Sequence, residues 1–119
     1  MDTIQLKIYN IVGSEFCVEA EDGEKVFMLI SKALKEQKKV EISFQNVELL
    51  TTAFLNSAIG KLYKDFSEEA IKSALSVKDI TQSGAVSLKR VVETAKAFYK
   101  NPDALRESVN KIMEDRNDD

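Results

Sequence analysis

Residues 48–63 read ELLTTAFLNSAIGKLY and hold the side chains best suited to chemistry: two adjacent threonines, Thr51 and Thr52, between an apolar strand-like stretch and a helical run. A hydroxyl at a helix start accepts a hydrogen bond from a backbone amide the helix leaves unpaired, worth about 1 kcal/mol. The same position suits a phosphate. The positive end of the helix dipole stabilises an anion, and phosphorylation adds nearly two negative charges to any surface centred there. Thr51 and Thr52 are therefore either a cap or a phosphoacceptor, with Thr52 the better placed of the two for the second role.

Other residue types narrow the chemistry. Histidine is absent and cysteine occurs once, at Cys17. That excludes a structural zinc site and any mechanism built on an imidazole base. Cys17 has no neighbouring histidine to activate it and is expected on the polar side of its strand. The four glycines, at 13, 23, 60 and 84, are scattered and form no phosphate-cradling loop. The carboxylate pairs Glu21/Asp22 and Glu68/Glu69 sit at helix starts, where acids suit the dipole. A catalytic pair must face across a cleft, and sequence neighbours on a helix point apart. No metal or cofactor is expected, and an enzyme is the least favoured reading.

Elements must position the threonines. TIQLKIYNI (3–11) and EFCVEA (15–20) alternate apolar and polar residues around Gly13-Ser14, which predicts a β-hairpin with Phe16, Val18 and Ala20 inward. Asp22 is expected to cap a helix over about 23–37, with Val26, Phe27, Ile30, Ala33 and Leu34 as its apolar stripe. KVEISF (39–44) predicts a third strand. A helix over 52–66 comes next, then a short turn at 67–70, a weaker strand at 74–80 and a helix over about 83–100. Phe27, Met28, Phe54 and Phe66 read as core or core-edge residues. Asn101 and Pro102 open a last helix over about 102–115, with Leu105, Val109 and Ile112 docking it, and 116–119 is expected to fray.

On the helix at 52–66, Thr52, Asn56, Gly60 and Tyr63 fall close to one stripe, flanked by Ser57 and Lys64. Gly60 costs a helix roughly 1 kcal/mol against alanine, which a close backbone approach would offset. The stripe is either a partner-binding surface or internal packing. Strands of a doubly wound sheet read as continuous apolar runs, whereas these alternate. The expectation is one domain over 1–119: a two-layer α/β sandwich with a mixed sheet of four or five strands, helices mainly on one face, in the order β-β-α-β-α-β-α-α.

The stretch VEISFQNVELLTTAFLNSAIGKL resembles the central segment of the STAS family, the sulphate transporter and anti-sigma factor antagonist fold. There a strand leads through a loop to an Asp-Ser-Ser-Gly-Leu-like element that starts a helix. Thr51 falls on the family's aspartate, Thr52 on its phosphorylatable serine, Ala53 on the second serine, Phe54 on the glycine and Leu55 on the leucine. The resemblance implies a divergent, non-catalytic binding module whose partner is a histidine-kinase-type ATPase, with Thr52 as phosphoacceptor. The alternative is a homodimer formed through the polar sheet face or the exposed stripe.

The remaining properties agree with that class. Charged residues are 31% of the chain with a net charge of −3, against the concentrated positive charge that nucleic-acid binding draws on. No apolar run approaches the roughly 20 residues that span a bilayer. The N-terminus lacks the basic start and apolar stretch of a signal peptide, and one cysteine fits a reducing cytoplasm.

Overall fold

The computed structural model describes residues 2–100. The helix expected over 102–115 and the tail 116–119 lie outside the described residues. In chain order the elements are β1 (Thr3–Lys7), α1 (Ile8–Val12), β2 (Phe16–Cys17), α2 (Ala20–Lys35), β3 (Lys39–Ser43) and β4 (Leu49–Leu50). Then come α3 (Thr52–Leu55), a π-helical turn (Asn56–Gly60), α4 (Leu62–Asp65), α5 (Glu68–Ala74), β5 (Leu75–Lys78) and α6 (Gln82–Lys100).

The strands form two small parallel sheets, in an α/β fold. One has the order β1-β3-β5 and the other pairs β2 with β4. The expected mixed sheet is thus corrected: every pairing among the described residues is parallel. Parallel neighbours need long crossovers, and these are supplied by α2 between β1 and β3, and by α3 to α5 between β3 and β5. Both crossovers advance across the sheet in the same direction. With the usual right hand, two such crossovers put their helices on the same face.

Burial distinguishes the two faces of this sheet. Register rows Ile4–Val40–Leu75 and Leu6–Ile42–Val77 carry the strands' core-facing side chains. The intervening row Gln5–Glu41–Ser76 is polar. Its Glu41 carboxylate accepts from the Gln5 amide at 3.3 Å and pairs with Lys78 at 2.9 Å. Ile42, Ile30, Phe44 and Phe54, all within 1% of complete burial, fix the centre of the core.

The predicted hairpin is also corrected. Ile8, Ile11 and Val12 share a helical spacing as well as part of a strand alternation. The chain coils there, and Gly13 (φ 78°) ends the helix by donating its N–H to the Tyr9 carbonyl at 2.8 Å. Freed from β1, β2 pairs with β4 in a register that turns Cys17 inward and Phe16 outward. A slip of one residue exchanges the two faces of a strand, so the expected polar setting of Cys17 is reversed: its side chain is completely buried.

Two smaller corrections concern α2. It begins three residues before the expected start, so Glu19 takes the cap position and Asp22 lies in the first turn, paired with Lys25 at 3.4 Å. Met28, expected at the core edge, is exposed, because the buried stripe runs through Gly23, Val26, Ile30 and Ala33. The turn expected at 67–70 is the start of α5, capped by Ser67, whose hydroxyl accepts the Ala70 N–H at 3.1 Å.

Candidate functional site

The two threonines divide the roles open to them. Thr51 has extended backbone and is the N-cap of α3. Its Oγ1 accepts the Phe54 N–H at 3.2 Å and donates to the Val18 carbonyl at 3.0 Å. Its own N–H reaches the Cys17 carbonyl at 3.2 Å. One side chain thereby joins the end of β2 to the head of α3. Thr51→Ala should lower stability by about 1–2 kcal/mol, the worth of a cap plus a partly buried hydrogen bond. Thr51→Ser should restore most of it, and urea unfolding of the pair is the check.

Thr52 is the first helical residue and is exposed. Its hydroxyl makes no hydrogen bond to a described residue. Ala53, Asn56 and Lys64 are exposed as well. Ser57 and Gly60 are buried: the Ser57 hydroxyl donates to the Ala20 carbonyl at 2.7 Å, and a Cβ on Gly60 would meet Val91 at 3.5 Å and Ala95 at 3.9 Å. Tyr63 is half-buried. The stripe over Thr52, Asn56, Gly60 and Tyr63 therefore does not lie on one exposed face. Its spacing assumes 3.6 residues per turn, and the π-helical turn at Asn56–Gly60 widens the helix there and rotates the residues beyond it.

An open groove of about 540 Å³ runs between the head of α2 and this helix, lined by Ala20, Glu21, Glu24, Ala53, Asn56 and Lys61. Lys61 forms an ion pair with Glu24, and its ammonium sits 5.2 Å above the Phe27 ring. Beside the groove, the ribbon of β2 and β4 exposes Phe16 and Leu49, each 49% accessible. They are register partners on one face of the ribbon, where neighbouring strands lie about 4.8 Å apart. Sequence reasoning missed this pair because it placed Phe16 inward.

A second hollow, of about 300 Å³, lies between α5–β5 and α6, with Ile71, Leu75, Leu88 and Val92 in its wall. Burial raises the Tyr63 pKa, partly offset by Lys96, while Glu68 raises it further. Lys96 and Glu68 pair at 3.0 Å beside it. Cys17 lies on the inward side of β2, where burial and then the Asp22 charge push its thiol up to about 11. No group of three or more His, Cys, Asp or Glu side chains among the described residues could hold a metal ion. No helix among them is long and apolar enough to cross a membrane.

A family model described as the STAS-like domain of unknown function (DUF4325) matches residues 22–85, from the first turn of α2 to the start of α6. The match contains β3, β4, the whole 52–65 helix and Thr51. No curated protein and no solved structure matches the chain.

Proposed function

The chain belongs to the family of STAS-like domains of unknown function, and from that premise we propose that it is a cytoplasmic protein-interaction module without catalytic activity of its own. Its partner is a histidine-kinase-type ATPase, which docks on the head of α3 and phosphorylates Thr52. The threonine Oγ1 attacks the γ-phosphorus of ATP, the bond to ADP breaks, and the hydroxyl proton passes to a base of the partner. The supporting observation is the contrast between the threonines: the Thr51 hydroxyl is committed to Phe54 and Val18, while Thr52 is exposed and its hydroxyl is bonded to no described residue. A dianionic phosphate there would have to be desolvated against an apolar contact, which disfavours the complex and releases the partner.

The test is to incubate the protein with such an ATPase from the same genome and γ-labelled ATP. Label should appear on Thr52, vanish in Thr52→Ala and survive in Thr51→Ser. Thr52→Glu should weaken the complex by about ten-fold or more, a shift of roughly 1.4 kcal/mol. Absence of both complex and phosphothreonine would remove this reading. A stable dimer by light scattering, indifferent to Thr52→Glu, would favour self-association instead.

A further inference from the structure

The charges around the head of α3 are segregated by sign. Residues 8–24 and 40–60 contain seven carboxylates and no lysine or arginine, so the remainder of the chain is net positive. These two stretches supply β2, the head of α2, β4 and α3. Three of the seven acids are neutralised across their boundaries: Asp22 by Lys25, Glu24 by Lys61 and Glu41 by Lys78. The other four, Glu15, Glu19, Glu21 and Glu48, are all exposed, and none is in a salt bridge with a described residue.

Two of those four adjoin the exposed apolar pair in sequence, and two lie at the head of α2. Glu15 and Glu48 directly precede Phe16 and Leu49, and the Glu48 N–H donates to the Glu15 carbonyl at 2.9 Å. Glu19 stands at the N-cap position of α2, one residue past the Val18 carbonyl that Thr51 holds. Glu21 lies in the first turn of α2 and lines the groove beside Ala53. Apolar side chains bordered by uncompensated charge of one sign make a surface that selects its partner by the opposite sign.

We propose that the exposed Phe16–Leu49 pair of the β2–β4 ribbon, with the four nearby glutamates that pair with no described lysine or arginine, is a docking surface for a basic segment of a partner protein, apolar residues flanked by lysine or arginine. The assignment rests on the interaction-module reading and names the chemistry of its partner. Apolar contact with Phe16 and Leu49 anchors the segment, and the carboxylates accelerate encounter and exclude acidic competitors. An acidic or neutral segment would leave the four glutamates facing like charge or no charge.

The probe is a synthetic amphipathic peptide of lysine and leucine, with a glutamate and leucine peptide of the same pattern as its counterpart. Backbone amide shifts in a 15N-labelled sample are followed at two salt concentrations. The lysine peptide should shift Phe16, Cys17, Glu19 and Leu49 and bind about ten-fold more weakly on going from low to high salt, while the glutamate peptide should have no effect. The variant E15Q/E19Q/E21Q/E48Q alters four solvent-facing groups and should keep its circular dichroism spectrum while losing about ten-fold or more in affinity. Phe16→Ser should lose affinity without changing the salt dependence.

Shifts centred elsewhere, equal binding of both peptides, or undiminished binding by the quadruple variant would overturn the assignment. So would self-association abolished by that variant, which would give the face to a second copy of the chain. The labelling reaction separates this inference from its premise: Thr52 labelled equally in wild type and the quadruple variant leaves the interaction module standing and removes the acidic docking face. Localised peptide binding with no ATPase complex does the reverse.

Discussion

Gly23→Ala is expected to destabilise the protein by about 2–3 kcal/mol and to lower its Tm by roughly 10 °C. On an exposed helical site the same change would stabilise by up to about 1 kcal/mol, because alanine has the higher helix propensity. Packing reverses the sign. A Cβ at Gly23 would lie 2.5 Å from the Phe54 carbonyl oxygen, 2.8 Å from the Ser57 Cβ and 3.2 Å from the Ala58 nitrogen. Two of these are backbone atoms and the third is fixed to the backbone, so no side-chain rotation relieves the clash. The head of α2 must move off α3 and the π-helical turn, disturbing Phe54 and the Ser57–Ala20 hydrogen bond with it.

Gly60→Ala is the matched control. Its new methyl would meet the Asn56 amide oxygen at 3.3 Å and Val91 at 3.5 Å. The Asn56 side chain can swing away, so propensity and crowding should nearly cancel, within roughly 1 kcal/mol of neutral. Both variants are read by urea unfolding. A Gly23→Ala protein as stable as wild type would mean that α2 does not approach the second helix at backbone distance.

The two glycines illustrate where sequence reading succeeds and where it stops. Gly60 stands out because it interrupts a regular helical pattern, and a close approach of helices is the natural explanation. The tightest approach in fact lies at Gly23, which reads as a helix boundary, where glycine is unremarked. Which glycine a neighbouring helix touches is set by a crossing between elements some thirty residues apart, and no local pattern encodes it.

The core strands were legible for a related reason. KVEISF alternates with a period of two, and Val40, Ile42 and Phe44 are buried as that period requires. The apolar stripe of α2 was equally clear in Val26, Ile30 and Ala33. Periodicity says which residues face inward but nothing of the strand they face beside. Hence β1 and β2 read as hairpin partners, although each pairs in parallel with a distant strand.

Around Thr51 and Thr52, local chemistry carried further than periodicity. A hydroxyl before a helix is a cap wherever the chain permits, and Thr51 became one. Of the exposed pair beside it, Phe16 was hidden by a one-residue error in strand facing, and Leu49 because QNVELL (45–50) reads as a loop and not as a strand. A signal was nevertheless present: two stretches without lysine or arginine, 8–24 and 40–60. Counting charges over the whole chain averaged that segregation away.

The same register error concealed the basis of a second large effect, a loss of stability in alkali through Cys17. The thiol is completely buried, and burial, followed by the Asp22 charge, raises its pKa from 9.0 to about 11. In the unfolded chain the thiol loses its proton near pH 9, while the folded protein keeps it until about pH 11. Between those values the unfolded state binds fewer protons, so stability falls as pH rises. Below the unfolded pKa the contribution is fully present, and it is lost through the window up to the folded pKa. At about 1.4 kcal/mol per pKa unit, the loss is on the order of 2 kcal/mol. Tyrosine and lysine side chains also titrate there, so the informative quantity is the stability of wild type minus that of Cys17→Ala. At neutral pH the variant should be the weaker by about 1 kcal/mol, for the small cavity it leaves. The difference should shrink from about pH 9 upward and reach zero or reverse near pH 11. A gap that stays constant over that range would mean that the thiolate is solvated in the native state, and with it that β2 does not turn Cys17 into the core.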